Sequence, residues 1–163
     1  MKPRAKPQDQ HPRPLGLSDY AVGVSEQNVE LHRRVLEAFN RRDVEAMIAY
    51  SDPSVEYHPV LSAIGVTVYH GHEGLRSWFE QLDDAWDELR AESEAYFDLG
   101  EQTLLFYVLR GRGRHSGAEV AMPNAQVCRW RDGLGVSVKQ YAHRKDALRD
   151  LGVSEDALEP IAP

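Results

Sequence analysis

The chain is expected to fold as one α+β domain, with helices packed on one face of a bent sheet, on the strength of a change in periodicity along it. Apolar residues recur at helical spacing through most of the first half, to about Leu89, and strand alternation takes over from about Glu94. The alternating runs are separated by short glycine-bearing turns, the pattern of consecutive hairpins. At 163 residues the chain can bury one proper core but is short for two.

Residues 1–24 hold four of the nine prolines and few large apolar side chains. They cannot bury enough surface to offset the entropy of ordering, so they are expected to be a disordered tail. The domain is then 25–152, followed by a short tail, 153–163. Ser25 is a plausible N-cap, and Leu31, Val35, Ala38 and Phe39 mark the apolar face of a first helix over 26–41. Asp43 can cap a short second helix carrying Val44, Met47 and Ile48, which ends near a turn at Asp52-Pro53. Val55 to His58 reads as a brief strand stopped by Pro59, and a loop follows around Gly65. After Gly71, Leu75, Trp78, Phe79, Leu82, Trp86 and Leu89 predict the strongest amphipathic helix.

Four strands follow: Ala95–Leu99, Thr103–Arg114, Glu119–Arg131 and Val136–Ala142. Their turns fall at Gly100-Glu101, His115-Ser116-Gly117 and Asp132-Gly133. A final helix, Lys145–Leu151, is closed by Gly152.

Composition excludes several classes of function. No stretch approaches the roughly 20 apolar residues of a membrane helix, and a formal net charge of -7 disfavours a nucleic-acid partner. Arg110, Arg112 and Arg114 form a short alternating run that suits a solvated strand face. No apolar segment follows the basic N-terminus, and the lone cysteine, Cys128, cannot close an internal disulfide, so a cytoplasmic location is expected.

His70-x-His72-Glu73 invites a metal test, but Gly71 breaks the alternation, and no metal site is expected. Gly111-x-Gly113-x-x-x-Gly117 has the wrong spacing for a phosphate loop. Cys128 lacks a nearby activating cation, and Ser116 lacks a nucleophile-elbow pattern. Trp78, Trp86 and Trp130 are expected in the core. Tyr107, between Leu105 and Leu109, is the better pocket aromatic.

Several phrases, in their order and spacing, resemble SnoaL-like proteins of the nuclear-transport-factor-2-like superfamily. They are Ala38 to Asp43, Val55 to Pro59, Gly71 to Arg76, Arg112 to Gly117, Arg131 to Gly133, and Tyr141 through Leu148 to Gly152. The resemblance covers residues 26–152. It implies a cone-shaped, strongly bent mixed sheet packed against three to four helices, a cystatin-like roll. Its open end would take a small apolar or amphipathic molecule, such as a polyketide or steroid, without a cofactor.

Relatives include ketosteroid isomerases, polyketide cyclases, dehydratases and epoxide hydrolases, so the fold alone selects no chemistry. The general-base aspartate of ketosteroid isomerases corresponds to His58, or to Tyr57 after a one-residue slip. Their oxyanion donors fall on Val35 and Gln126. The acid of epoxide hydrolases falls on Gln140, and the acid that often follows the final strand is His143. His58 is therefore the candidate catalytic residue, and Tyr57, Tyr107, Gln126, Gln140 and His143 are candidate ligand contacts. The two readings are an isomerase, cyclase or dehydratase working by His-assisted proton transfer, and a non-catalytic binding or assembly domain. Apolar residues on both faces of the last strands, and the way relatives pair, imply a homodimer through the sheet face.

Overall fold

The structure is a computed structural model that describes residues 17–162. Among them lie four α-helices and six strands, in the order α1 (Leu17–Asn40), α2 (Val44–Ala49), β1 (Ser51–His58), β2 (Tyr69–His70), α3 (Gly71–Ala85), β3 (Trp86–Asp98), β4 (Gln102–Gly113), β5 (Glu119–Arg131), β6 (Leu134–Tyr141) and α4 (Arg144–Leu151). The strands form one curled, open sheet in the order β2-β1-β6-β5-β4-β3. Only β1 and β6 run parallel, which makes the sheet mixed.

Local signals account for most of these elements. Asp43 caps α2, its carboxylate accepting from the Ala46 N–H at 3.0 Å. Gly152 ends α4 with φ 68°, a conformation that costs glycine nothing. On the outward side of the β3–β4 ladder, Arg110 pairs with Glu92 at 2.7 Å and Arg112 with Glu88 at 2.8 Å. The arginine run is a solvated strand face, and such exposed pairs contribute at most about 1 kcal/mol each.

Three boundaries differ from expectation. Helix α1 begins at Leu17, inside the segment expected to be a tail. After Pro14 no proline interrupts the run, and a helix already nucleated extends at little cost. The expectation for residues 1–16 lies outside the described residues. Helix α3 stops at Ala85 instead of continuing through Leu89, because Trp86 already pairs with Gly113 on β4. From there the alternation of exposed Glu88, Arg90 and Glu92 with buried Leu89 and Ala91 serves a strand. The third is Asp52-Pro53, which lies inside β1 and not at a turn. The ladder to β6 shifts register between Ser51 and Glu56, so the N–H that Pro53 lacks is not missed.

Two apolar layers cover the two faces of the sheet. The concave side holds Tyr57, Leu105, Tyr107, Leu109, Cys128 and Trp130 against Val35, Phe39, Trp78 and Phe79 of α1 and α3. Gly111 permits this closure: a Cβ there would lie 2.8 Å from the Trp86 ring and 2.9 Å from the Glu88 carbonyl. The convex side holds Phe97, Leu104, Phe106, Ala125 and Val127, covered by Ala147, Leu148 and Leu151 of α4 and by Leu158. Part of the face that the dimer expectation took as bare, Val127 included, is covered within one chain, while Ala121 and Pro123 on the same side of β5 are exposed. Nor is the C-terminus free of the domain: Ile161 exchanges backbone hydrogen bonds with Tyr96 on the edge strand β3, at 3.0 and 2.7 Å. No helix among the described residues is long and apolar enough to cross a membrane.

Candidate functional site: a phenol-lined cleft over a fixed amide network

Alternation along β1 decides which of its residues faces the concave side. Val55 and Tyr57 are buried there, while Glu56 and His58 fall on the other set. His58 is one-third exposed, with Nε2 3.6 Å from the Glu56 carboxylate, and does not line the central cleft. The convergence expected of His58 with Gln126 and Gln140 is therefore corrected: Tyr57 takes that place. His143 is also elsewhere, exposed at the N-cap of α4.

Four of the expected residues, Tyr57, Tyr107, Gln126 and Gln140, do line one cleft between the sheet and α1, α2 and α3. Its remaining walls are apolar, with Phe39, Met47, Leu61 and Trp78 prominent. The free interior of the cleft is about 10 Å³, roughly room for one water, so it is a narrow slot that its own side chains nearly fill. Trp78 is both core and wall: its ring lies 4.6 Å from that of Tyr57 and 5.9 Å from that of Phe39, and its N–H donates to the Leu61 carbonyl at 2.7 Å.

Beneath the cleft runs a chain of hydrogen bonds whose direction follows from one backbone group. The Val60 N–H can only donate, so Gln140 Oε1 accepts from it at 3.1 Å. Gln140 then points its amide nitrogen at Gln126 Oε1, 3.0 Å away, and at the Tyr57 hydroxyl, 3.1 Å away. Gln126 in turn donates to His32 Nε2 at 2.9 Å and to Cys128 Sγ at 3.6 Å. With Nε2 accepting, the neutral ring carries its proton on Nδ1 and donates it to Thr103 Oγ1 at 2.8 Å. Thr103 Oγ1 also accepts from the Trp130 N–H at 2.9 Å.

This direction has a chemical consequence. Both amide hydrogens of each glutamine are committed inside the protein, so neither side chain has one left for a ligand. The unassigned protons belong to the phenols. Tyr107 Oη is buried with no hydrogen-bond partner, and the Tyr57 hydroxyl accepts from Gln140 while its own proton has no acceptor among the described contacts. Burial raises both phenol pKa values, the neighbouring Cys128 adds to both and Tyr107 adds to Tyr57, so both stay protonated and can donate.

His32 is the residue that sequence reasoning missed. Fully buried, it has its pKa lowered to about 3 by desolvation and is neutral at any physiological pH. The signal was present: His32, Val35, Leu36 and Phe39 fall at i, i+3, i+4 and i+7, a better inward face than one built on Leu31. Cys128, its thiol pushed up to about 12 by burial, is no nucleophile. His72 Nε2 donates to the Ser51 carbonyl at 3.0 Å, and among the described residues no cluster of three or more His, Cys, Asp or Glu could hold a metal. No acid lines the cleft.

Known structures share this architecture. A nuclear-transport-factor-2-like protein of unknown function from Burkholderia pseudomallei superposes with a TM-score of 0.65 at 23% identity, over 76% of this chain and 95% of that one. A candidate polyketide cyclase from Xanthomonas campestris pv. campestris gives 0.61 at 21%, over 77% and 96%. A hypothetical protein with a ketosteroid isomerase-like fold from Catenulispora acidiphila, in complex with trimethylamine, gives 0.63 at 19%, over 78% and 95%. At these identities the likeness is one of fold. No curated protein matches the chain in sequence. The profile of the SnoaL-like domain family matches residues 32–138, most of the folded chain, and the protein belongs to that family.

Proposed function

We propose that the cleft, widened by movement of the side chains that line it, binds a flat, largely apolar molecule whose ketone or quinone carbonyl is held in the slot by the hydroxyls of Tyr107 and Tyr57. The observation that carries this reading is the pair of phenol protons left without acceptors in a buried apolar slot. A buried hydroxyl without a partner costs roughly 1–3 kcal/mol, which a ligand oxygen would recover. Narrow apolar walls with few polar groups are what small-molecule sites have in common.

Two phenols on one carbonyl also polarise it. An isomerase or cyclase, the chemistry suggested by some structural neighbours, would further need a group to take a proton from carbon. No carboxylate lines the slot, His32 is sealed beneath Gln126, and His58 faces away. Binding is therefore the reading the geometry supports best.

Matched probes test it. Acetophenone should bind more tightly than ethylbenzene by roughly 3- to 10-fold per hydrogen bond made, and Tyr107→Phe should remove that preference. Without ligand, Tyr107→Phe should melt no lower than the parent, because it deletes an unsatisfied group and no contact. Equal affinity for ketone and hydrocarbon in the parent protein would sink the reading.

A further inference from the structure

We propose that a second, outer cleft, lined by Leu61, Met122, Asn124, Arg144 and Lys145, is a subsite that holds a carboxylate and an adjacent hydroxyl on the tail of the ligand. Leu61 is a wall of both spaces, so a ligand that parts the side chains of the slot there would continue into this outer cleft. The proposal rests on the binding reading above and narrows the ligand to one whose carbonyl sits in the slot and whose tail is a hydroxy acid.

Asn124 supplies the acceptor for the hydroxyl. It lies opposite Tyr107 in the β4–β5 ladder, on the concave side, is 1% exposed and lines the outer cleft. Its Nδ2 donates to the Tyr141 carbonyl at 3.1 Å, which fixes the orientation of the amide. Oδ1 is then an acceptor, buried and without a partner. An acceptor left in that state calls for a ligand hydrogen.

The carboxylate side comes from Arg144 and Lys145. Arg144 gives one terminal nitrogen to Glu94 at 2.6 Å and, more weakly, to the Tyr107 carbonyl at 3.4 Å, while its Nε is buried with no partner. Glu94 offsets the charge of Arg144. Lys145, exposed beside it, has no acid partner among the described residues, and no acid lines the cleft. The surplus is one positive charge, suited to a monoanion, on a protein whose formal net charge is -7. Leu61 and Met122 are apolar walls of the outer cleft, and Leu61 is shared with the slot.

Three phenyl probes with different tails separate the parts: mandelate, phenylacetate without the hydroxyl, and 1-phenylethane-1,2-diol without the carboxylate. By calorimetry, mandelate should bind the full chain roughly tenfold more tightly than either of the others. Asn124→Ala should lower mandelate to the phenylacetate level and leave phenylacetate unchanged. Lys145→Ala, on the surface and safe for folding, should weaken both acids several-fold and leave the diol unchanged. Mandelate binding no better than the diol, or unaffected by both variants, would overturn the subsite.

Acetophenone keeps the two readings apart, because it reaches only the slot. If it binds in a Tyr107-dependent manner while the acids do not bind, the subsite fails and the slot stands. If the acids bind as described and acetophenone does not, the outer cleft stands without the phenols.

Discussion

Between pH 6.5 and pH 3 the fold should lose about 4 kcal/mol of stability through His32 alone. Its folded pKa of about 3 lies below the 6.5 of an unperturbed imidazole, because a fully buried ring cannot be hydrated when charged. The unfolded chain therefore takes up a proton that the folded chain refuses. The native state has its full advantage above pH 6.5 and loses it as the pH falls toward 3, at about 1.4 kcal/mol per pH unit.

Asp52 and Asp150, whose pKa values hydrogen bonds to Ser54 and Lys139 lower, begin to destabilise the fold only in the carboxylate range. The interval from pH 6.5 to 5 is thus free of their contribution, and His32 should account for about 2 kcal/mol there. Urea unfolding at the two pH values measures it. His32→Gln keeps a donor and an acceptor but does not titrate, so its unfolding free energy should be level across the interval. A variant with the same slope as the parent would remove His32 as the cause.

Trp78→Ala should cost about 3–5 kcal/mol, a large share of the roughly 5–15 kcal/mol that holds a domain together. The indole is 1% exposed, lies against Phe39, Tyr57, Tyr69 and Phe79, and ties the loop after β1 through the Leu61 carbonyl. Its removal leaves a cavity in a rigid aromatic cluster and strands that carbonyl without a donor. Because Trp78 is also a wall of the slot, the same change should widen the ligand range. 2-Acetonaphthone should gain affinity relative to acetophenone, measured under conditions where the variant is folded. A loss of under 1 kcal/mol in chemical denaturation would show that the indole is not the keystone of the inner core.

What was legible in the sequence is what short stretches of chain determine by themselves. The Asp43 cap, the Gly152 stop, the glycine turns between β3 and β6 and the apolar stripe Leu75, Trp78, Phe79 and Leu82 all act over a few residues. The phrases that resembled SnoaL-like proteins belong to the same class of signal, and the family holds. Tertiary structure alone decided the rest. Leu89 fits the helical stripe after Leu82 and Trp86 and equally the strand alternation with Ala91, and it is the partner β4 that makes 86–98 a strand, with a register irregularity after Trp86. His58 and Tyr57 are neighbours in sequence, but the pairing of β1 with β6 sends Tyr57 into the slot and His58 out of it. Gln126 and Gln140 were visible as candidate donors, yet their hydrogens were assigned by His32, Tyr57 and Val60, which lie 94, 83 and 80 residues away along the chain. Sequence shows which groups can donate, and only the assembled fold shows which donors are already taken, because a buried hydrogen bond is a property of two groups brought together from distant parts of the chain.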